Sequence, residues 1–149
     1  MSDERPVLDQ VNLVARDVDA TVAFYAMLGI DFMPVPEAWA TWAAHHRNAE
    51  PGAGLDFDVD SPWSASTWNA GWPEGATGVV LGFKLPSSDA VDRLHGELVA
   101  AGHRSLQEPY DAFFGARYAV VADPDGNSVG LMGPRDDARR KAPPEPPAS

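Results

Sequence analysis

The chain has 149 residues, 44% of them hydrophobic and 22% charged, with no cysteine and a formal charge of −11. This composition supports an ordinary globular core and excludes disulfide scaffolds, zinc–thiolate sites, iron–sulfur clusters and cysteine nucleophiles. No apolar run approaches the roughly 18 residues of a membrane span, residues 1–6 lack the apolar stretch of a secretory signal, and so acidic a chain repels phosphate backbones. The expectation is a cytoplasmic protein with neither nucleic-acid nor membrane partners.

The elements are read in chain order. Val11–Ala15 alternates as a strand, and Asp17 or Asp19 caps a helix whose Val22, Phe24, Tyr25 and Leu28 form an apolar stripe ending at Gly29. Three short strands are expected next, at Asp31–Val35, Trp39–Ala44 and Leu55–Asp60, separated by Pro34, Pro36 and Pro51-Gly52. Residues 61–77 read as a Trp-rich connection. The order then repeats. Val79–Leu85 is a strand, and Ser87 or Ser88 caps a helix with Val91, Leu94, Leu98 and Ala101 on one face and Gly102 at its end. Strands follow at Arg104–Gln107, Arg117–Ala122 and Ser128–Met132. The chain therefore divides into a first βαβββ module (1–60), the connection (61–77), a second βαβββ module (78–133) and a Pro-rich tail (134–149) expected to lack fixed structure. The tail carries four of the cations, so residues 1–133 are more acidic than the whole, which favours a cationic guest.

Strand alternation sorts the two sheet faces. Leu55, Phe57, Leu81, Phe83 and Leu131 lie on an apolar face that packs on the helices. Gln10, Asn12, Asp56, Asp58, Lys84 and Ser128 lie on the other, which reads either as solvated surface or as the floor of a ligand cleft. All five tryptophans, Trp39, Trp42, Trp63, Trp68 and Trp72, fall in one stretch, and Phe113-Phe114 is their counterpart in the second half. Such rings either seal cores and interfaces or form stacking walls for a planar ligand. His45 and His46 point to opposite faces of an expected strand and make a poor joint metal site. Asp56-x-Asp58-x-Asp60 lacks the glycine and glutamate of a calcium loop, and there is no nucleotide-binding or nucleophile-elbow motif. No catalytic residue is identified.

Phe24-Tyr-Ala-Met-Leu-Gly29 after a strand and a capped helix, with Ala122-Asp-Pro-Asp-Gly-Asn-Ser-Val-Gly-Leu131 near the end, resembles the vicinal-oxygen-chelate superfamily of glyoxalases, bleomycin-resistance proteins and extradiol dioxygenases. The resemblance implies an α+β fold of two βαβββ modules whose curved mixed sheets enclose a cleft, commonly in a homodimer. It also implies a divalent-metal site, whose positions correspond to Gln10, Asp56, Val80 and Gly130. Valine and glycine offer no donor atom, so no metal and no cofactor are expected. The nearest likeness is then to the metal-free bleomycin-resistance members: binding, without metal, of an aromatic and cationic small molecule by Gln10, Asn12, Trp39, Trp42, Asp56, Asp58, Trp63, Trp68, Trp72, Phe113 and Phe114. The alternatives are a metal-dependent lyase or dioxygenase of the same superfamily and a non-catalytic accessory domain that binds a partner protein.

Overall fold

A computed structural model describes residues 5–52 and 54–148. The first four residues of the polar start and the last residue of the expected tail lie outside the described residues. One mixed sheet of seven strands runs through the molecule: β1 (Val7–Val14), β2 (His46–Asn48), β3 (Asp56–Asp60), β4 (Gly78–Lys84), β5 (Ser105–Asp111), β6 (Arg117–Ala122) and β7 (Ser128–Met132). Their order is β2-β3-β1-β4-β7-β6-β5, and the sheet does not close. Helices α1 (Val18–Met27) and α3 (Ser88–Ala100) occupy the crossovers after β1 and β4. The α+β class and the repeat are as expected: β1 pairs parallel with β3, β4 pairs parallel with β7, and β1 and β4 join the halves antiparallel.

The second half keeps all four strands of its module. Its helix starts where the side chain of Ser87 accepts from the backbone N–H of Ala90 at 3.0 Å, and Val91, Leu94 and Leu98 pack on Phe83, Leu85, Ala119 and Leu131. The first half departs from the expectation. Asp31–Val35 is reduced to one bridge, Phe32 to Ala49, because Pro34 and Pro36 cannot donate to a ladder. Trp39–Ala44 is not a strand either. Pro36 leads into a 3₁₀ turn over Glu37–Trp42, and the edge of the sheet is taken by the three-residue β2. The connection contains a helix, α2 (Pro62–Trp68), nucleated by the Ser61 hydroxyl accepting from Ser64 N–H and by Pro62 in the first turn.

A second apolar cluster lies on the face opposite α3. Val14, Val80, Tyr118 and Val120 from the sheet meet Ala65 and Trp68 of α2, with Trp72, Leu106, Tyr110, Phe114 and Met132 around them. The second half of the sheet is thus covered on both sides. Residues 135–141, expected to be free of structure, are pinned to the turn after β5: Asp136 N–H donates to Gly115 O and Lys141 N–H to Phe113 O, each at 2.9 Å, and Arg139 reaches Asp111 at 2.9 Å. Gly115 has φ +84, and any Cβ there would strike the carbonyl of Asp136, so this seat needs a glycine twice over. No helix among the described residues is long and apolar enough to cross a membrane.

Candidate functional site

The face bearing Gln10 and Asn12 forms the floor of a cleft of about 890 Å³. Its walls come from the segment that failed to make a strand (Met33 to Trp42), from Trp68 of α2, from Phe113 and Phe114, and from Arg135 and residues 140–143 of the C-terminal strap. The rings form a continuous run across the molecule. Trp63 lies 5.1 Å from Trp42, Trp42 6.1 Å from Phe113, Phe113 5.4 Å from Phe114, Phe114 5.5 Å from Tyr118, and Tyr118 6.1 Å from Trp68.

Of the residues singled out in the sequence, Gln10, Asn12, Trp39, Trp42, Asp58, Trp68, Phe113 and Phe114 line this cleft. Three do not. Asp56 is exposed at the outer end of β3. Trp63 sits behind Trp42 and against His45, with ring centroids 5.0 Å apart for the second contact. Trp72 lines a separate cavity of about 510 Å³ and donates its indole N–H to Ala76 O at 2.9 Å. The sequence analysis weighs His46 and Asp60 only as metal ligands and does not single out Arg47, Ser64, Tyr118, Arg135 or Lys141, all of which line the cleft. Alternation with Asp58 was the one available signal for Asp60.

The polar part of the floor is a closed network. Asp60, wholly buried, accepts from Asn12 Nδ2 at 2.8 Å, Ser64 Oγ at 2.7 Å and His46 Nδ1 at 2.7 Å. Asp58 accepts from Gln10 Nε2 at 2.6 Å and Asn48 Nδ2 at 2.8 Å. Burial alone would push the His46 imidazole down, but the Asp60 carboxylate overrides it and carries the pKa up to about 9. Burial would likewise raise Asp60, yet the His46 imidazolium and three donors hold it below the usual carboxylate range. Asp58, buried and close to Asp60, is raised despite the His46 charge. His46 and Asp60 therefore form an imidazolium–carboxylate pair at neutral pH.

The metal positions implied by the resemblance can be tested on the ladder. Gln10 lies opposite Gly82 and Asn12 opposite Val80, so the local two-fold makes Gln10 equivalent to Val80. Asp58 lies opposite Asn12, and Gly130 opposite Gly82, so the counterpart of Gly130 is Asp58 and not Asp56. The donor set does not suit a metal. Val80 is buried in the apolar cluster, and both oxygens of Asp58 already accept hydrogen bonds. A Cβ at Gly130 would fall 2.5 Å from the Tyr118 hydroxyl, so the space for a ligand side chain there is filled by a phenol. No cluster of three His, Asp or Glu side chains that could hold an ion occurs among the described residues.

The family model for the glyoxalase/bleomycin resistance protein/dioxygenase superfamily matches residues 7–131. Solved structures with a similar fold include methylmalonyl-CoA epimerase from Mycobacterium tuberculosis (20% identity, TM-score 0.60, covering 93% of this chain and 95% of that one). They also include a hypothetical protein from Bacillus halodurans (14% identity, TM-score 0.59, 90% and 98%) and the Mn(II)-bound glyoxalase of Novosphingobium aromaticivorans (17%, 0.56, 87% and 38%). No curated protein matches the chain.

Two outcomes are expected. Gly130→Ala should cost roughly 1–3 kcal/mol by overpacking, and Tyr118→Phe in the same chain should recover part of that loss, as read by urea unfolding. The His46 pair should also give stability a defined pH profile. A pKa raised to about 9 in the fold contributes stability in full below the unfolded value near 6.5 and loses it as pH rises through 9. Thermal melts of the native chain should therefore fall between pH 6.5 and 9.5, and His46→Ala should remove most of that slope.

Proposed function

The chain belongs to the glyoxalase/bleomycin resistance protein/dioxygenase superfamily, and we propose that it acts within it as a binding protein that holds an aromatic small molecule in the cleft without a metal, in the manner of the bleomycin-resistance members. The observation that carries this reading is the run of rings. Trp39, Trp42, Phe113, Phe114, Tyr118 and Trp68 all border one cavity large enough for a drug-sized molecule. A planar guest gains by stacking and by removing the faces of Trp39, Trp42, Phe113 and Phe114 from water, Trp68 and Tyr118 being buried already. The absence of a workable donor quartet at Gln10, Asp58, Val80 and Gly130 supports binding without a metal.

Intrinsic tryptophan fluorescence should be quenched by 2-naphthamide in the full chain, with unchanged affinity after exhaustive dialysis against a chelator. Trp42→Ala should weaken that binding by roughly ten- to a hundred-fold, as the loss of about 1.5–3 kcal/mol of aromatic burial requires. Loss of binding on chelation, or an unaltered affinity in the Trp42 variant, would overturn the reading.

We also propose a homodimer. Phe24 and Met27 of α1 and Leu28 just after it are 58%, 88% and 68% exposed, and Val79 and Leu81 are uncovered on the sheet face away from the cleft. Apolar groups in such number on one side of a small domain favour pairing. Light scattering should give about twice the chain mass of 16.0 kDa at micromolar concentration, and Leu28→Glu should shift it towards the single-chain value.

A further inference from the structure

The polar floor of the cleft satisfies itself. Gln10, Asn12, His46, Asn48 and Ser64 each give a hydrogen to Asp58 or Asp60. One polar group stands outside this network. The ring of Tyr118 is seated among Trp68, Tyr110 and Phe114, and its hydroxyl bonds to no group among the described residues, although Tyr118 lines the same cleft. Among the described residues, unpartnered side-chain atoms sealed from solvent occur on Asp9, Arg47 and Tyr110, and the Tyr118 hydroxyl is not one of them. It therefore opens onto free space, and the free space that Tyr118 borders is the cleft.

The ladder fixes the side of the sheet on which this hydroxyl lies. Tyr118 is two residues from Val120, Val120 stands opposite Gly130, Gly130 opposite Gly82, and Gly82 opposite Gln10. Opposed residues share a face, as do residues two apart on a strand, so Tyr118, Gly130 and Gln10 point to the cleft side together. A Cβ at Gly130 would fall 2.5 Å from the Tyr118 hydroxyl oxygen, so that oxygen stands just above bare backbone that itself lines the cleft. Burial, with the Tyr110 phenol and the Asp60 carboxylate nearby, pushes the Tyr118 pKa well above its ordinary value, and the hydroxyl keeps its proton. The same burial and the same Asp60 charge disfavour an anion at this point.

Resting on the aromatic-cleft reading above, we propose that the guest is a neutral, planar aromatic carbonyl compound, whose carbonyl oxygen accepts a hydrogen bond from the Tyr118 hydroxyl while Trp39, Trp42, Phe113 and Phe114 take its flat body. A guest that fills the cleft strips this hydroxyl of water. One that brings an acceptor restores the lost bond, and one that brings none leaves a buried donor orphaned. Asp58 and Asp60 then act as holders of the floor and not as anchors for the guest. The polar contact is made by the protein itself, at the place beside Gly130 where the resemblance puts a metal ligand.

Tryptophan quenching of the full chain by two probes of one shape tests this: 2-acetylnaphthalene, and 2-isopropenylnaphthalene, in which a methylene replaces the carbonyl oxygen. Tyr118→Phe removes the hydroxyl and leaves the ring. The ratio of ketone affinity to hydrocarbon affinity is expected to fall about tenfold in that variant. It should stay unchanged in Tyr110→Phe, whose hydroxyl is buried outside the cleft. In the native chain, isotope-edited infrared spectra should place the carbonyl stretch of the bound ketone below its value in hexane. A ratio that Tyr118→Phe leaves within about twofold, or a bound stretch at the hexane value, would overturn the Tyr118 assignment while leaving the aromatic cleft standing. If neither probe binds, the aromatic cleft and this inference fall together.

Discussion

A single carboxylate with no contact with water organises the first half of this protein. Asp60 ends β3, and its three donors come from three other elements: Asn12 on β1, His46 on β2 and Ser64 on α2. A buried charge is costly unless it is paired and hydrogen-bonded, so each of these elements is held to the place where its donor is needed. The three-residue β2 is too short to define its own register by ladder hydrogen bonds alone, and the His46 contact supplies what the ladder lacks. The helix α2 is fixed from the other side, by Ser64 facing Asp60 and Trp68 facing Tyr118.

The cleft follows from where that anchoring leaves the chain. In the second half, four strands and two covering layers fill both faces of the sheet. In the first half, two prolines stop a strand from forming, and the freed segment curls over the polar face with Trp39 and Trp42. The asymmetry between the halves makes the cavity: one repeat keeps its sheet complete and the other gives up an edge strand for a wall. The same asymmetry removes the conditions for metal binding, because the positions across the two-fold from Gln10 and Asp58 carry Val80 and Gly130.

In the second half, sequence patterns carried β4, β6, β7 and α3 to within a residue or two, while β5 runs four residues past the expected Gln107 and through Pro109. Arg117–Ala122 and Ser128–Met132 alternate cleanly between turn signals, and α3 has a capping serine, an apolar face and a terminating glycine that agree with one another. The first half was harder. Pro34 and Pro36 were read as turn punctuation between strands, whereas their missing N–H groups remove the strands themselves. The Ser61-Pro62 pair was a legible helix start that the surrounding Trp, Ser and Gly composition masked. At the site, Gln10, Asn12 and Asp58 were visible because alternation assigns a face, and the rings because they cluster in two stretches, although Trp63 and Trp72 lie outside the cleft. His46, Arg47 and the strap cations were not, because their place depends on contacts between segments dozens of residues apart. A Pro-rich composition describes how a tail behaves alone and says nothing about Gly115 offering it a seat.

The position of the strap in the chain has a consequence for how this protein can change. Residues 134–143 lie outside the sheet, and none of its seven strands takes its register from them. They nonetheless supply one wall of the cleft and most of its positive charge. Substitution of the side chains that face the cavity there alters what it accepts without disturbing a ladder of the sheet. The molecule thus separates two kinds of inheritance: a scaffold whose parts constrain one another, and a segment outside the sheet in which selectivity can drift at little cost to folding.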